Sequence, residues 1–414
     1  MKTDDAEITI VGAGIAGLAL ALNLHARNIS CRLYEAAPVL REIGVGITLL
    51  PHAMRELSAL GLGTELEAQG IENTESRFFN RFGQLIYAEP RGRFAGYPLP
   101  ELGIHRGRLH MALYRAVVER LGADIIVLDR QCVGLEQDDG GVSLHFRQTS
   151  SGADAETLRA STVIACDGVN SAIRRHFYPN DAVVFSGVNS WRGVTRRKPI
   201  LDGRTYLRIG SIRTGKMTIY PIVDNVDGEG NQLINWIAQV PSTAQEKNDW
   251  NKRAKPSDFV WRFKDWVYDW LDAPEMMEDA DMILEYPMVD KDPIPRWTFG
   301  RVTLAGDAAH PMYPRGSNGS AQALIDVRTL ADILVEMRDR EDALAAYERA
   351  RLETTANIVR KNRVEPPDVI NIRVEELTGD KPFDNLDKYI TQDELRALSG
   401  AYSKVAGFSI RDIR

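Results

Sequence analysis

The chain opens with a short apolar run, Glu7 to Val11, then a stretch rich in helix-forming Ala and Leu from Ala16 to Arg27, then a second apolar run from Ser30 to Glu35. Short apolar runs bounded by turn residues read as strands and the longer stretch as a helix, which predicts a βαβ unit. Asn28 marks the helix stop, because asparagine tolerates the left-handed conformation found after helix ends. Arg106 to Leu121 repeats the helical pattern after a region rich in Gly, Pro and aromatics between Phe78 and Pro98. Thr162 to Ala165 and Arg301 to Ala305 read as further buried strands, running into Asp167-Gly168 and Gly306-Asp307. Between them Val183 to Val240 has β character, with alternation in Tyr206-Leu207-Arg208-Ile209 and Met217-Thr218-Ile219-Tyr220. The tryptophan-rich stretch Trp250 to Leu271 reads as helical, as does the chain from Asp326 to about Arg363, which breaks at Pro366-Pro367.

Antiparallel strands do not belong in a parallel nucleotide-binding sheet. The expected fold class is therefore α/β: a discontinuous Rossmann-like domain, an inserted, mostly antiparallel β-sheet substrate domain and a C-terminal helical segment. The nucleotide domain is assigned to 1-75, 101-180 and 286-363, the inserted sheet to 76-100 and 181-285, and the helical extension to 364-414. A length of 414 residues with 44% hydrophobic content suits two domains. A formal charge of -7 gives no basic field for nucleic acid. The acidic N-terminus lacks a signal-peptide pattern, and no segment approaches the roughly 20 apolar residues that span a bilayer. The expectation is a cytoplasmic protein with no membrane partner. Cys31, Cys132 and Cys166 are isolated and odd in number, which suggests neither a disulfide framework nor a CxxC pair.

Candidate chemistry begins at Gly12-Ala13-Gly14-Ile15-Ala16-Gly17. The first glycine permits a tight turn, the second lets backbone approach a pyrophosphate, and the third packs helix on strand. Ile15 and Ala16 open a helix whose N-terminus attracts anions. Glu35, ending the next strand, suits a ribose hydroxyl, as expected of FAD or NAD rather than NADP. The glycines do not choose between FAD and NAD.

Three motifs do choose: the glycine loop, Cys166-Asp167-Gly168-Val169-Asn170-Ser171-Ala172-Ile173-Arg174, and Gly306-Asp307-Ala308-Ala309-His310-Pro311. With them the sequence resembles the single-component flavoprotein aromatic hydroxylases, the family of salicylate, 6-hydroxynicotinate and phenazine hydroxylases. A likeness to the phenazine-carboxylate branch rests on Leu40-Arg41-Glu42-Ile43-Gly44-Val45-Gly46-Ile47, Ile104-His105-Arg106-Gly107, Trp191-Arg192-Gly193-Val194-Thr195 and Tyr286-Pro287-Met288-Val289-Asp290.

The resemblance implies FAD as cofactor, NADH or NADPH as co-substrate, O₂ as oxidant and a small aromatic substrate, hydroxylated through a flavin C4a-hydroperoxide. It places Asp307 at the FAD ribitol and pyrophosphate, Arg106 at the pyrophosphate and Val133 in a backbone contact with adenine. Asp167 falls near the groove shared by FAD and the nicotinamide donor, or serves only its own loop. Tyr313-Pro314-Arg315-Gly316-Ser317-Asn318-Gly319-Ser320 should lie against the flavin, with Pro314 beside the reactive carbon and Gly319-Ser320 starting a helix aimed at the pyrimidine edge. Ser317 stands where a glycine is common, and Ala321 where an asparagine is. Arg315 is read as the partner of a substrate carboxylate, the alternative being a solvent-facing charge; such a carboxylate raises the prospect of decarboxylative hydroxylation. Tyr313 belongs to the same loop, and Tyr206, Tyr220 and Trp191 are candidates for an aromatic pocket, the commoner alternative for such residues being the core. His105 and His110 are five apart, the wrong spacing for one helical face, and no metal site is expected. A flavin reductase or redox isomerase on the same fold, not activating O₂, is the rival reading. Oligomeric state is open.

Overall fold

A computed structural model of the chain describes residues 2–3, 6–243, 252–314, 316–364 and 369–405. Ile8–Val11 is buried throughout and pairs in parallel with Cys31–Tyr34 on one side and Val163–Ala165 on the other. A strand with no solvent face reads as a continuous apolar run, which is why it was legible. Val302–Leu304 adds in parallel beyond Val163–Ala165, and the short strands Thr298–Phe299 and Ile126–Val127 close the edges of this six-stranded sheet. The helix Ile15–His25 is buried from Gly17 to Leu24, packed against Arg106–Leu121 and Gly319–Glu336. It ends as read, with Asn28 left-handed at φ 58°.

Register decides where the three motifs meet. Val11 and Leu304 both stand opposite Ala165, and the ladder continues one step, with Cys166 N donating to Val11 O at 2.7 Å and Ala305 N to Ala165 O at 2.9 Å. The glycine loop, Asp167-Gly168 and Gly306-Asp307 therefore leave the sheet side by side at its carboxyl end, where open α/β sheets bind ligands.

The second large sheet has seven strands, in the order Met282–Lys291, Val183–Arg197, Gln232–Pro241, Gly215–Val223, Thr205–Ser211, Glu75–Phe79, Leu85–Pro90. All neighbours are antiparallel except Thr205–Ser211 with Glu75–Phe79. The architecture is the expected Rossmann-like domain with an inserted antiparallel sheet; Met282–Lys291 runs across the boundary placed at 285. One face of the inserted sheet, with Trp191, Leu207, Ile219 and Trp236, packs on Phe259, Phe263, Trp266 and Met276.

The segment expected to be helical from Trp250 to Leu271 is corrected by this packing. Trp250 and Asn251 lie outside the described residues, and from Lys252 the chain forms 3₁₀ turns at Pro256–Asp258 and Val260–Phe263, a two-stranded ribbon of Val267–Tyr268 with Leu271–Asp272, then the helix Ala273–Glu278. Phe259, Phe263 and Trp266 imitate a helical stripe, but Val260 and Leu271 are drawn into the same cluster. Tertiary burial of so many large side chains overrides a weak local preference. At the far edge, Ile370, Val374, Leu386, Ile390 and Leu395 from the C-terminal helices cover Phe78, Ile86 and Tyr87. Among the described residues, no helix is long and apolar enough to cross a membrane.

Candidate active site

The three glycines of the first loop have separable jobs. A Cβ on Gly12, at φ 102°, would stand 2.4 Å from the Cys166 carbonyl oxygen, and one on Gly17 only 1.9 Å from the Gly12 carbonyl oxygen. A Cβ on Gly14 would meet nothing within 4 Å. Gly14 thus opens onto free space at the N-terminus of a buried helix, while Ile15 and Ala16 are half-buried beside it. Glu35 braces the loop from below: its carboxylate accepts from Ala13 N at 2.7 Å and Ala37 N at 2.8 Å. From above, His110 donates through Nε2 to the Ala13 carbonyl at 2.7 Å.

Asp307 faces the same space. It is exposed between buried Gly306 and Ala308, and a Cβ on Gly306 would lie 3.2 Å from that of Ala16. Although its oxygens reach the cleft, the surrounding protein lifts its carboxyl above the usual range by desolvation, an effect opposed by His310 and Arg106. Arg106, the first residue of its helix, is likewise exposed. The structure thus brings Gly14, Asp307 and Arg106 to one cleft. Asp167 is engaged in its own loop: Oδ2 accepts from Ala172 N at 2.9 Å, while Oδ1 is buried without a partner. Burial raises this carboxyl also. Val133 is the extra residue of a β-bulge between Cys132 and Gly134, which leaves it outside the regular pairing and 42% exposed. Arg174, fully buried, ties the second motif to the third by donating to the carbonyls of Ala308 and Ala309 at 3.2 and 2.8 Å.

Behind the third motif lies a polar network. Asp326, fully buried on the helix Gly319–Glu336, accepts from Arg351 Nε at 2.8 Å and Gly306 N at 3.2 Å and is paired with His310 Nε2. Burial alone would raise its carboxyl; His310 and Arg351 hold it below the ordinary range instead. Arg351 also donates to Gln322 at 2.7 Å, Gln322 to Asn318 Oδ1 at 3.2 Å, and His52 Nε2 to the same Oδ1 at 2.9 Å. Asn318 is buried, stands at the N-cap position of the helix that Gly319 and Ser320 begin without a side-chain capping bond, and keeps its Nδ2 without a partner. Ser317, the departure from glycine, sits at φ 54°, so the backbone keeps the left-handed turn at the expense of a side chain that disfavours it. Pro314 is exposed beside it, and Arg315 lies outside the described residues.

Burial lowers His52 from 6.5 to about 4, with the Asn318 bond acting in the opposite direction. A base with a depressed folded pKa contributes stability present above about pH 6.5 and lost progressively as pH falls toward about 4. Between pH 6.5 and 5 this amounts to about 2 kcal/mol at roughly 1.4 kcal/mol per unit. Urea unfolding of wild type should show that loss, and His52→Gln should be flatter over the same window; parallel curves would refute the assignment.

The inserted sheet turns its other face toward this loop. Tyr206 and Tyr220 stack with centroids 5.0 Å apart and planes 9° from parallel, and the Tyr206 hydroxyl faces Ser317. Asn235, opposite Tyr220, accepts from Gly46 N at 2.7 Å and so joins the sheet to the strand Gly46–Leu49, which pairs with the strand Leu102–His105 leading into Arg106. Trp191 takes the core alternative: it stacks on Phe259 at 4.6 Å behind the sheet, since alternate strand residues face opposite ways. Tyr313 is 4% exposed and donates to the Val184 carbonyl at 3.3 Å, anchoring the loop to the sheet. His105 donates to the Gly44 carbonyl at 3.0 Å, so it too serves packing. The sequence assigns no individual role to Arg192 or His52, and to Asn318 only a place in the segment against the flavin. The strand alternation around Trp191-Arg192-Gly193 was the available signal for Arg192.

A nucleotide cleft at a parallel sheet's carboxyl end, continuous through one helix-starting loop with an aromatic sheet face, is the architecture of an FAD-dependent aromatic monooxygenase. The chain belongs to the family described as FAD binding domain, matched over residues 5–362. It is 40% identical over 362 residues to phenazine 1,6-dicarboxylic acid hydroxylase PhzS of Lysobacter antibioticus, covering 86% of this chain and 89% of that protein. It is 31% identical to 3-amino-4-hydroxybenzoate 2-monooxygenase PtmB3 of Streptomyces platensis, covering 86% of each. The crystal structure of Klebsiella pneumoniae HpxO complexed with FAD and uric acid shares the fold at TM-score 0.75 and 22% identity, over 98% of this chain and 96% of that one. A salicylate hydroxylase substrate complex does so at 0.70 and 22%, over 97% and 98%. The expected FAD cofactor and aromatic monooxygenase activity stand on this membership, and the reductase or isomerase reading is not favoured.

Proposed function

We propose that the protein draws electrons from NADH or NADPH and oxygen from O₂ to hydroxylate a carboxylated aromatic or N-heteroaromatic acid. The observation that carries this reading is the sheet face in front of Ser317, where stacked phenols lie beside arginines: Arg208 stands 5.1 Å from the Tyr206 ring and Arg192 4.7 Å from that of Tyr286. Such a surface suits a flat ring bearing negative charge.

The residues present fit FAD. The open space over Gly14 admits a pyrophosphate to the helix N-terminus, with Arg106 as counter-charge; Glu35 and Asp307 offer acceptors to ribose and ribitol hydroxyls. Val133 offers bulged backbone to adenine, and Asp167 borders the donor's groove. Gly319, Ser320 and the unpaired Asn318 Nδ2 present N–H groups where charge on the pyrimidine edge needs stabilising. Pro314, fixed in φ, gives the loop a stiff face beside the ring. Bound FAD supplies the redox chemistry and the activation of oxygen. The protein orients the ring against Tyr206 and Tyr220 and excludes water by burying both. A cytoplasmic location, where NAD(P)H is at hand, suits this reading.

Phenazine and benzoate carboxylic acids should stimulate NAD(P)H oxidation, and product formed under ¹⁸O₂ should carry one labelled atom. Product formation without O₂ would sink the reading. Release of CO₂ distinguishes attack at the carboxyl-bearing carbon from attack elsewhere.

A further inference from the structure

Arg192 lies on the strand Val183–Arg197 between two residues that face the core. Trp191 stacks on Phe259, and a Cβ on Gly193 would press 2.2 Å into the Trp236 ring. By strand alternation Arg192 therefore projects from the opposite face, toward the flavin loop. After desolvation, the groups that act most on its guanidinium are Tyr286, Tyr220, Arg106 and Tyr206, none of them a carboxylate. Among the described residues no acid forms an ion pair with it, and its Nε is buried without a hydrogen-bond partner. By contrast Arg197, on the same strand, pairs with Glu275, and Arg91 pairs with Glu101.

Arg192 is half-buried with its Nε cut off from water, and a guanidinium so placed with no carboxylate beside it is costly to keep; desolvation pulls it below its ordinary range. Its planar fork matches a carboxylate bidentately. Tyr286 shields one side of the group, and the Tyr206–Tyr220 stack offers a flat surface to an adjoining ring. The second cation acting there, Arg106, deepens the positive potential of the pocket.

We propose that Arg192 is the residue that receives the substrate's carboxylate, its guanidinium pairing with both oxygens while the attached ring lies in the pocket bordered by Tyr206, Tyr220 and Tyr286. This rests on the aromatic-acid reading above and gives Arg192, on the rigid sheet, the part that the sequence assigned to Arg315. It also sets specificity: a neutral analogue of the same shape leaves the guanidinium unpaired and is discriminated against.

The test uses FAD-loaded protein and two probes, phenazine-1-carboxylate and phenazine-1-carboxamide, with Kd read from the perturbation of flavin absorbance. Wild type should prefer the acid by roughly 30-fold or more, equivalent to about 2 kcal/mol. Arg192→Gln should bring that ratio to about 1 by weakening the acid alone, and Arg192→Lys should recover part of it, keeping the charge without the fork. The amide's Kd reports in each variant whether the pocket is intact. An Arg192→Gln protein that keeps the wild-type ratio, or loses acid and amide equally, overturns the assignment to Arg192 alone. Wild type that binds neither probe, and is stimulated by no aromatic acid, overturns the aromatic-acid reading and the assignment with it.

Discussion

Replacing Gly17 with alanine is expected to yield protein that retains no FAD through purification and unfolds at a markedly lower temperature. In an exposed helix, glycine to alanine stabilises by roughly 0.5–1 kcal/mol, because alanine loses less entropy on folding. Here the new Cβ would stand 1.9 Å from the Gly12 carbonyl oxygen. That atom belongs to the loop's backbone, so relief requires the helix Ile15–His25 to move off the sheet. Overpacking of this kind costs about 1–3 kcal/mol or more, which exceeds the entropic gain and displaces the helix N-terminus from the cofactor cleft. Gly14→Ala is the matched control. Its Cβ meets nothing within 4 Å and its φ of -75° suits alanine, so the apoprotein should be as stable as wild type or more so. Only FAD affinity should fall, measured by fluorescence titration. If both variants lose stability equally, or neither loses FAD, the division of labour between these glycines is wrong.

The second large effect is expected at Asp326. Asp326→Asn removes the charge that balances Arg351 and the carboxylate that pairs with His310 Nε2, at a site with no exposure. Breaking a buried pair by deleting one partner costs about 3–5 kcal/mol, because the remaining charge stays buried and uncompensated. Urea unfolding at pH 7 should show a loss of that size, and FAD affinity should fall too, since Asp326 holds Gly306 N and shares a helix with Gly319. The sign with pH follows from the depressed carboxyl: its stabilisation is fully present above about pH 4 and is lost as pH falls through the lower folded value. The difference between wild type and Asp326→Asn should therefore stay level from pH 8 to 5 and narrow only in stronger acid. A loss below about 1 kcal/mol would show that the network stabilises little.

These two sites differ in how far they could be read from the chain. Gly12 and Gly17 are legible because a carbonyl lies where any Cβ would stand, so the backbone's need is written in residue type. Asp307 is legible for a related reason, since an acid directly after a buried strand and glycine marks a loop at the sheet's carboxyl end. Asp326 is not. It appears as one acid in a helical stretch, and its partners lie 16, 20 and 25 residues away. His52 and Asn318 are 266 apart, and no local pattern announces that pair. In the tryptophan-rich segment the local pattern points to a helix, and burial against the sheet selects turns.

Trp191 and Arg192 mark the boundary most sharply. Both stand in one motif, in which the aromatic residue is a candidate for the pocket or for the core. Alternation along a strand says that adjacent side chains face opposite ways, but not which way faces the cleft. The sequence by itself determined the strand–glycine–helix unit, the FAD-binding motifs and the α/β class, because these rest on local backbone geometry and on buried strands without a solvent face. Only the tertiary structure decided which face of the inserted sheet meets the flavin loop, which arginine is left without a carboxylate, and which buried charges neutralise one another. Those outcomes depend on distances between segments separated along the chain, set by how the elements dock rather than by any one stretch of chain.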